Sequence, residues 1–329
     1  MRIHMPILFL AAGVLQAGGV ACVGKEPPMT CARADFRIRD PFVLAEDGVY
    51  YLYESKPWDG GRGVFVRTSR DLEHWTEKRQ AMRVADDIPV RKVWAPEVHR
   101  YGGAYYLFVT LTLEKGAYPI APLVPGREKF HESRGTWVYR AEKPTGPFEL
   151  VKKGPVPPQE WMTLDGTLWV EEGTPYMVFC HEWCQMQDGR MCYAPLTPDF
   201  TAFAAAPKTL FRASEAMPGA GFITDGPYLH RSSKSGALYM IWSNTMRRSD
   251  GKDPDYCVFV RTSTGGKLAG PWTKDALLFR ANGGHGMVFK AFDGRLMLTL
   301  HQPNITPAER MALFELDDTG ATLRLAPRK

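Results

Sequence analysis

Five segments of this 329-residue chain repeat one pattern, and no other feature constrains its fold so tightly. Each has a polar or turn residue, a short apolar run, a tight turn and a second apolar run. They read RDPFVLAEDGVYYLYES (39–55), WAPEVHRYGGAYYLFVT (94–110), LDGTLWVEEGTPYMVFCH (164–181), TDGPYLHRSSKSGALYMIWS (224–243) and GHGMVFKAFDGRLMLTLHQ (284–302). Turns such as EDG (46–48), GG (102–103), EEG (171–173) and FDG (292–294) are hairpin chemistry. A third β-rich run follows each hairpin, for example VFVRTS (64–69) and YCVFVRTS (256–263). The repeats start roughly 55–70 residues apart, the length of a four-stranded blade with its loops. No stretch keeps a helical period with caps. The expected fold is all-β: a five-bladed β-propeller forming one domain over residues 34–329.

Composition agrees and narrows the function. Hydrophobic residues are 44% and charged residues 23%, enough for a real core, while 26 Pro and 31 Gly are spread as turn residues rather than as a disordered tract. The net charge of +5 comes from interleaved signs with no basic tract, which argues against a nucleic-acid partner. No membrane-spanning domain is expected in the repeat region, and the reading is of a monomer.

The first 24 residues read as a signal peptide. Arg2 and His4 precede the uncharged run PILFLAAGVL (6–15), followed by the small residues AGGVAC (17–22). Cys22 resembles a lipoprotein site, though Gly19 stands where Leu is expected. The protein is therefore expected to be exported: periplasmic, secreted or lipid-anchored. Cys180, Cys184 and Cys192 lack zinc-site spacing and leave two readings open, one disulfide or buried thiols.

In a propeller the first strand of each blade lines the central channel, so its first residues gather on one face. Antiparallel pairing returns the end of the second strand to that face. Asp40, Trp94, Asp165, Asp225 and His285 are expected there from strand starts, and Glu54, Glu182, Asn244 and His301 from strand ends. Carboxylates at an axis suit glycoside hydrolysis, where one activates water and another protonates the leaving oxygen. A cation site or plain Asx turns are the alternatives for each Asp taken singly.

RDPF, WAPE, LDG, DGP and GHG, one from each repeat, together resemble glycoside hydrolase family 43, as do SRDLEHW (69–75), TGPFE (145–149) and AGPW (269–272). The resemblance implies an inverting glycosidase acting mainly on α-L-arabinofuranosides, with β-xyloside or galactoside cleavage, or a non-catalytic carbohydrate-binding propeller, as alternatives. It implies that Asp40 is the general base and that Asp165 orients the acid and tunes it. The acid is where the chain departs, because the family's Glu before Gly-Pro is here Asp225, roughly 1.5 Å shorter in reach. Glu182 in HEW, beside Trp183, competes with Asp225 for the role and is slightly favoured on sequence. No cofactor is required, though His285 matches a position that could sit by a structural calcium. Trp58, Trp94, Trp161 and Trp183 are expected to stack on sugar, with Glu97, Asn244, His285 and His301 as hydroxyl partners. Trp75, Trp137 and Trp272 are expected to fill blade cores. A phosphorolytic activity would need a basic cluster at the axis, where the expected residues are acidic or neutral.

Overall fold

Three of the inner hairpins turn through two consecutive residues with positive φ: Asp47 and Gly48, Gly102 and Gly103, Glu172 and Gly173. That geometry matches the right-handed twist of the flanking strands, so each tight pair sets the register of its hairpin. The protein, a computed structural model, is described over residues 28–55 and 61–327. The signal peptide, Cys22 and Trp58 lie outside the described residues.

The hairpins belong to five four-stranded antiparallel sheets, each running in chain order from the axis outward. Blade one comprises Phe42–Glu46, Val49–Ser55, Gly63–Ser69 and Arg79–Arg83. Blade two comprises Val90–Tyr101, Ala104–Leu113, Arg134–Ala141 and Glu149–Leu150. Blade three comprises Thr163–Glu171, Thr174–His181, Arg190–Pro195 and Lys208–Arg212. Blade four comprises Asp225–Arg231, Leu238–Met246, Asp255–Ser263 and Ala276–Arg280. Blade five comprises Gly284–Lys290, Leu296–Gln302, Arg310–Asp318 and Leu323–Leu325. This is the expected five-bladed β-propeller. A short ribbon pairing Met29–Ala32 with His74–Thr76 was not foreseen.

Central strands are buried on both faces because each blade packs between two others. Every residue of Ala104–Leu113 and of Asp255–Ser263 is buried, polar and charged ones such as Thr110 and Arg261 included. Trp75 and Trp137 fill blade cores as expected, whereas Trp272 is only partly buried. The three cysteines left open by sequence, Cys180, Cys184 and Cys192, are buried thiols, as is Cys257, and Cys31 is a partly exposed one.

The segment preceding blade one docks on blade five and helps to close the ring. Ile38 N–H donates to the Glu309 carbonyl at 3.3 Å, and Arg33 donates to the Met311 carbonyl at 3.0 Å. The fully buried Glu309 carboxylate accepts from Arg37 at 3.0 Å, Arg39 at 3.3 Å and Thr306 at 2.7 Å. Removing one member of such a cluster leaves the others buried without their counter-charge, which costs about 3–5 kcal/mol. Glu309→Ala is expected to lower stability by about that much in chemical unfolding. Glu73→Ala, which breaks the exposed pair with Arg33, should change it little.

Candidate active site

The inner strands share a kink that sequence did not reveal. Asp40, Ala95, Asp165, Gly226 and His285 all have φ between 43° and 55°. In blades two to five the strand register slips at this point, the mark of a bulge that re-aims the side chain. These five are structural equivalents. Trp94 and Asp225 lie one residue earlier and correspond to Arg39, Leu164 and Gly284. Asp225 therefore does not repeat the position of Asp40 and Asp165, as sequence suggested, but leaves the backbone from the adjacent one. Gly226 serves its place because a Cβ there would lie 3.0 Å from the His285 ring.

At this end of the axis lies a cavity of about 320 Å³. Its walls bring together Asp40, Trp94, Asp165, Glu182, Trp183, Asp225 and His285 from the sequence expectation. Several residues that sequence had not singled out join them, notably Arg39, Phe130, Arg134 and Tyr256.

His285 is the electrostatic centre. Its Nδ1 lies 3.4 Å from Asp40 Oδ1 and 3.8 Å from Asp165 Oδ2. Burial alone would lower its pKa, but Asp40, Asp165, Asp225 and Glu97 together raise it, favouring the imidazolium. Burial likewise opposes ionisation of Asp40, yet His285, His301 and Arg39 outweigh it and hold this carboxyl well below the usual range. His301, buried behind the cavity, accepts the Asp40 backbone N–H at 3.3 Å and meets Asn304 through Nε2 at 3.2 Å.

Asp225 is pushed the other way. Burial comes first, then the neighbouring Glu182 charge, and together they raise it against His285 and the Tyr256 hydrogen bond. The Tyr256 hydroxyl donates to Asp225 Oδ2 at 3.0 Å. Asp165 is also raised, by burial and by Asp225 despite His285. Its Oδ2 accepts the Gly226 N–H at 3.0 Å, and its own N–H donates to Thr110 Oγ1 at 2.8 Å. Asp165 thus grips the residue that follows Asp225.

Glu182 sits differently. Its Oε1 accepts from Arg134, whose second nitrogen donates to Glu132. Burial opposes the charge on Arg134, but Glu182 and Glu132 overcome it and raise its pKa. Both arginines at the cavity are ion-paired, Arg39 with Asp40 and Glu309, Arg134 with Glu132 and Glu182. The axis is thus not free of basic groups, as the sequence reading held, but neither arginine lacks a carboxylate.

Trp94 and Trp183 both line the cavity. Trp94 donates to Thr112 Oγ1 at 3.1 Å, and Trp183 packs edge-on against Phe130 with ring centroids 5.3 Å apart. The other expected residues are placed elsewhere. Trp161 stacks on His181 at 4.2 Å in a separate crevice, although the next residue, Met162, lines the cavity. Glu97 is buried with its Oε2 3.0 Å from His99 Nε2. Asn244 is fully buried; its side chain accepts from the Ile223 and Thr245 N–H groups and donates to the Gly221 carbonyl. Glu54 pairs with Arg67. As for calcium near His285, no group of three or more His, Cys, Asp or Glu among the described residues is disposed to hold a metal ion.

Comparison with known proteins agrees with this geometry. The profile of the glycosyl hydrolases family 43 matches residues 34–324. An extracellular exo-alpha-(1->5)-L-arabinofuranosidase from Streptomyces chartreusis is 25% identical over 315 residues, 87% of this chain and 86% of that protein. The endo-arabinase from Bacteroides thetaiotaomicron VPI-5482 superposes with a TM-score of 0.76 at 31% identity, covering 89% of this chain and 98% of that one. An endo-1,4-beta-xylanase from the same organism, at 23% identity and a TM-score of 0.68 over 89% and 95% of the two chains, shares the fold. With a profile match spanning all five blades, the chain belongs to glycosyl hydrolases family 43 and is a glycoside hydrolase.

Proposed function

We propose that this enzyme releases α-L-arabinofuranosyl units with inversion of configuration, outside the cytoplasm, without a cofactor. One observation carries the mechanism: carboxylates in one cavity are biased in opposite senses, Asp40 toward the anion, Asp165 and Asp225 toward the neutral acid, and of the latter two Asp165 is held by the Gly226 N–H. Split environments are how an active site assigns base and acid. A carbohydrate-binding propeller without catalysis has no use for that split.

In this reading Asp40 accepts a proton from the attacking water while Asp225 donates one to the leaving oxygen. Tyr256 fixes Asp225 Oδ2, so Oδ1 is the oxygen assigned to carry the proton. Asp165 holds the Gly226 N–H, which sets the direction of the acid, and His285 offsets the repulsion between Asp40 and Asp165 as their shared counter-charge. Trp94 and Trp183 supply apolar wall for a sugar ring. The arabinosyl preference is supported by the relatives named for arabinofuranosidase and endo-arabinase activity. Export is supported by the leader reading of residues 1–24 and by the extracellular relative. No helix among the described residues is long and apolar enough to cross a membrane.

A panel of nitrophenyl glycosides tests the specificity: the α-L-arabinofuranoside should be the best substrate, and a β-xyloside or galactoside in its place would overturn the assignment. NMR of early product should show inverted anomeric configuration, and retention would sink the mechanism. The pH profile follows from the two shifts. Activity needs Asp40 ionised and Asp225 protonated. The acidic limb of kcat/KM should therefore fall below the ordinary carboxylate range and the alkaline limb above it.

A further inference from the structure

Behind the wall of the catalytic cavity, blade three carries a second recess of about 250 Å³ that the reaction does not use. The short helical turn Trp183–Met186 separates the two: Trp183 and Cys184 line the cavity, Gln185 and Met186 the recess. His181 and Arg190, register partners on neighbouring strands, line the recess, and the exposed Arg212 pairs with Arg190 on the next strand outward, outside the lining. Trp161, stacked on His181, and the rings of Pro122 and Pro207 wall it. Like charges directly opposite on neighbouring strands are destabilising. Here two arginines face each other, and neither has an ion-pair partner among the described residues. The Arg190 Nε is buried without a hydrogen-bond acceptor. The nearby acids are committed elsewhere, Asp188 to Ser214 and Glu215 to the Arg212 N–H and to Arg261.

We propose that this recess binds a uronate unit of an acidic polysaccharide, Arg190 in its lining and Arg212 opposite it on the next strand taking the carboxylate and Trp161 the sugar ring. A planar guanidinium pairs with a carboxylate through two parallel hydrogen bonds, and an anion there relieves the Arg–Arg repulsion. The aromatic and proline walls would gain nothing from a bare inorganic anion but cover the apolar face of a pyranose. The volume lies below the ~300–1,000 Å³ of ordinary ligand pockets, which fits one ring rather than a length of chain. The net charge of +5 favours an acidic polymer at longer range.

Calorimetric titration of the full chain carrying Asp40→Asn, which prevents turnover, tests this without reference to the reaction. The probes are trigalacturonate, a neutral arabinotriose and inorganic phosphate. Trigalacturonate should bind with an affinity that falls as salt rises. Arg190→Gln, Arg212→Gln and Trp161→Ala should each weaken it by about tenfold, the scale of one charge-assisted hydrogen bond or one stacked ring. Arginine 212 is exposed, so its variant keeps the test valid should Trp161→Ala fail to fold. Arabinotriose binding should be indifferent to Arg212→Gln. Absence of trigalacturonate binding, or binding that none of the variants alters, would overturn the proposal. So would phosphate binding as tightly as trigalacturonate, which would make the recess an anion patch only.

Discussion

Asp40→Asn should cut turnover on every glycoside by about 10²–10⁴-fold while leaving sugar binding and folding nearly intact. The amide keeps the shape and the hydrogen-bond reach of the carboxylate but cannot accept a proton from water. The surroundings also remain satisfied. The backbone N–H at this position still donates to His301, Arg39 keeps its bond to Glu309, and His285 keeps Asp165. Natural and activated substrates should suffer alike, because water must be deprotonated in either case whatever group departs. Steady-state kinetics on an aryl arabinofuranoside and on arabino-oligosaccharide, with calorimetric binding and a thermal melt as controls, check each part. Near-normal turnover by this variant would place the base elsewhere.

The blades were legible in the sequence because hairpin chemistry is local. EDG, GG and EEG each encode a turn with two positive-φ residues, and the β-rich runs on either side have no other use. Which residues reach the axis was legible only in part. Periodicity locates a strand start to within a residue, but a bulge moves the side chain that faces the cavity by one position. Asp40, Asp165 and His285 occupy the kinked position itself, while in blades two and four it falls to Ala95 and Gly226. Trp94 and Asp225 reach the cavity from the residue before. Asn244 and Glu97, by contrast, were expected to meet substrate, but their side chains serve the backbone of 221–223 and His99. Such partners come from loops or neighbouring strands that no repeat announces. The same limit applies to Glu182, on blade three, whose environment is set by Arg134 on blade two. Tyr256 is the second residue of a third strand, a place with no axial signal in the sequence.

That inter-blade pair decides how the acid should be sought. A proton donor must be neutral at working pH and release its proton in the transition state. The Glu182 carboxylate is already engaged by the Arg134 guanidinium, whereas Asp225 is raised by burial and by the charge of Glu182 itself. We therefore assign the proton to Asp225, although the sequence leaned slightly toward Glu182. The departure from the backbone one residue before the kink, with Tyr256 bracing Oδ2, gives the shorter side chain a fixed place from which to deliver it. An acid matters most when the leaving group is another sugar and least when it departs as a stabilised phenolate. Asp225→Asn should thus lower hydrolysis of arabino-oligosaccharides by about 10²–10⁴-fold, spare activated aryl arabinofuranosides and flatten the alkaline limb of the pH profile. Glu182→Gln should instead depress both substrate types by similar factors. With one negative charge gone, Asp225 ionises more readily, so the alkaline limb should move to lower pH rather than vanish. The opposite outcome, selective loss of oligosaccharide cleavage in Glu182→Gln, would return the acid role to that residue and leave Asp225 to orient the sugar.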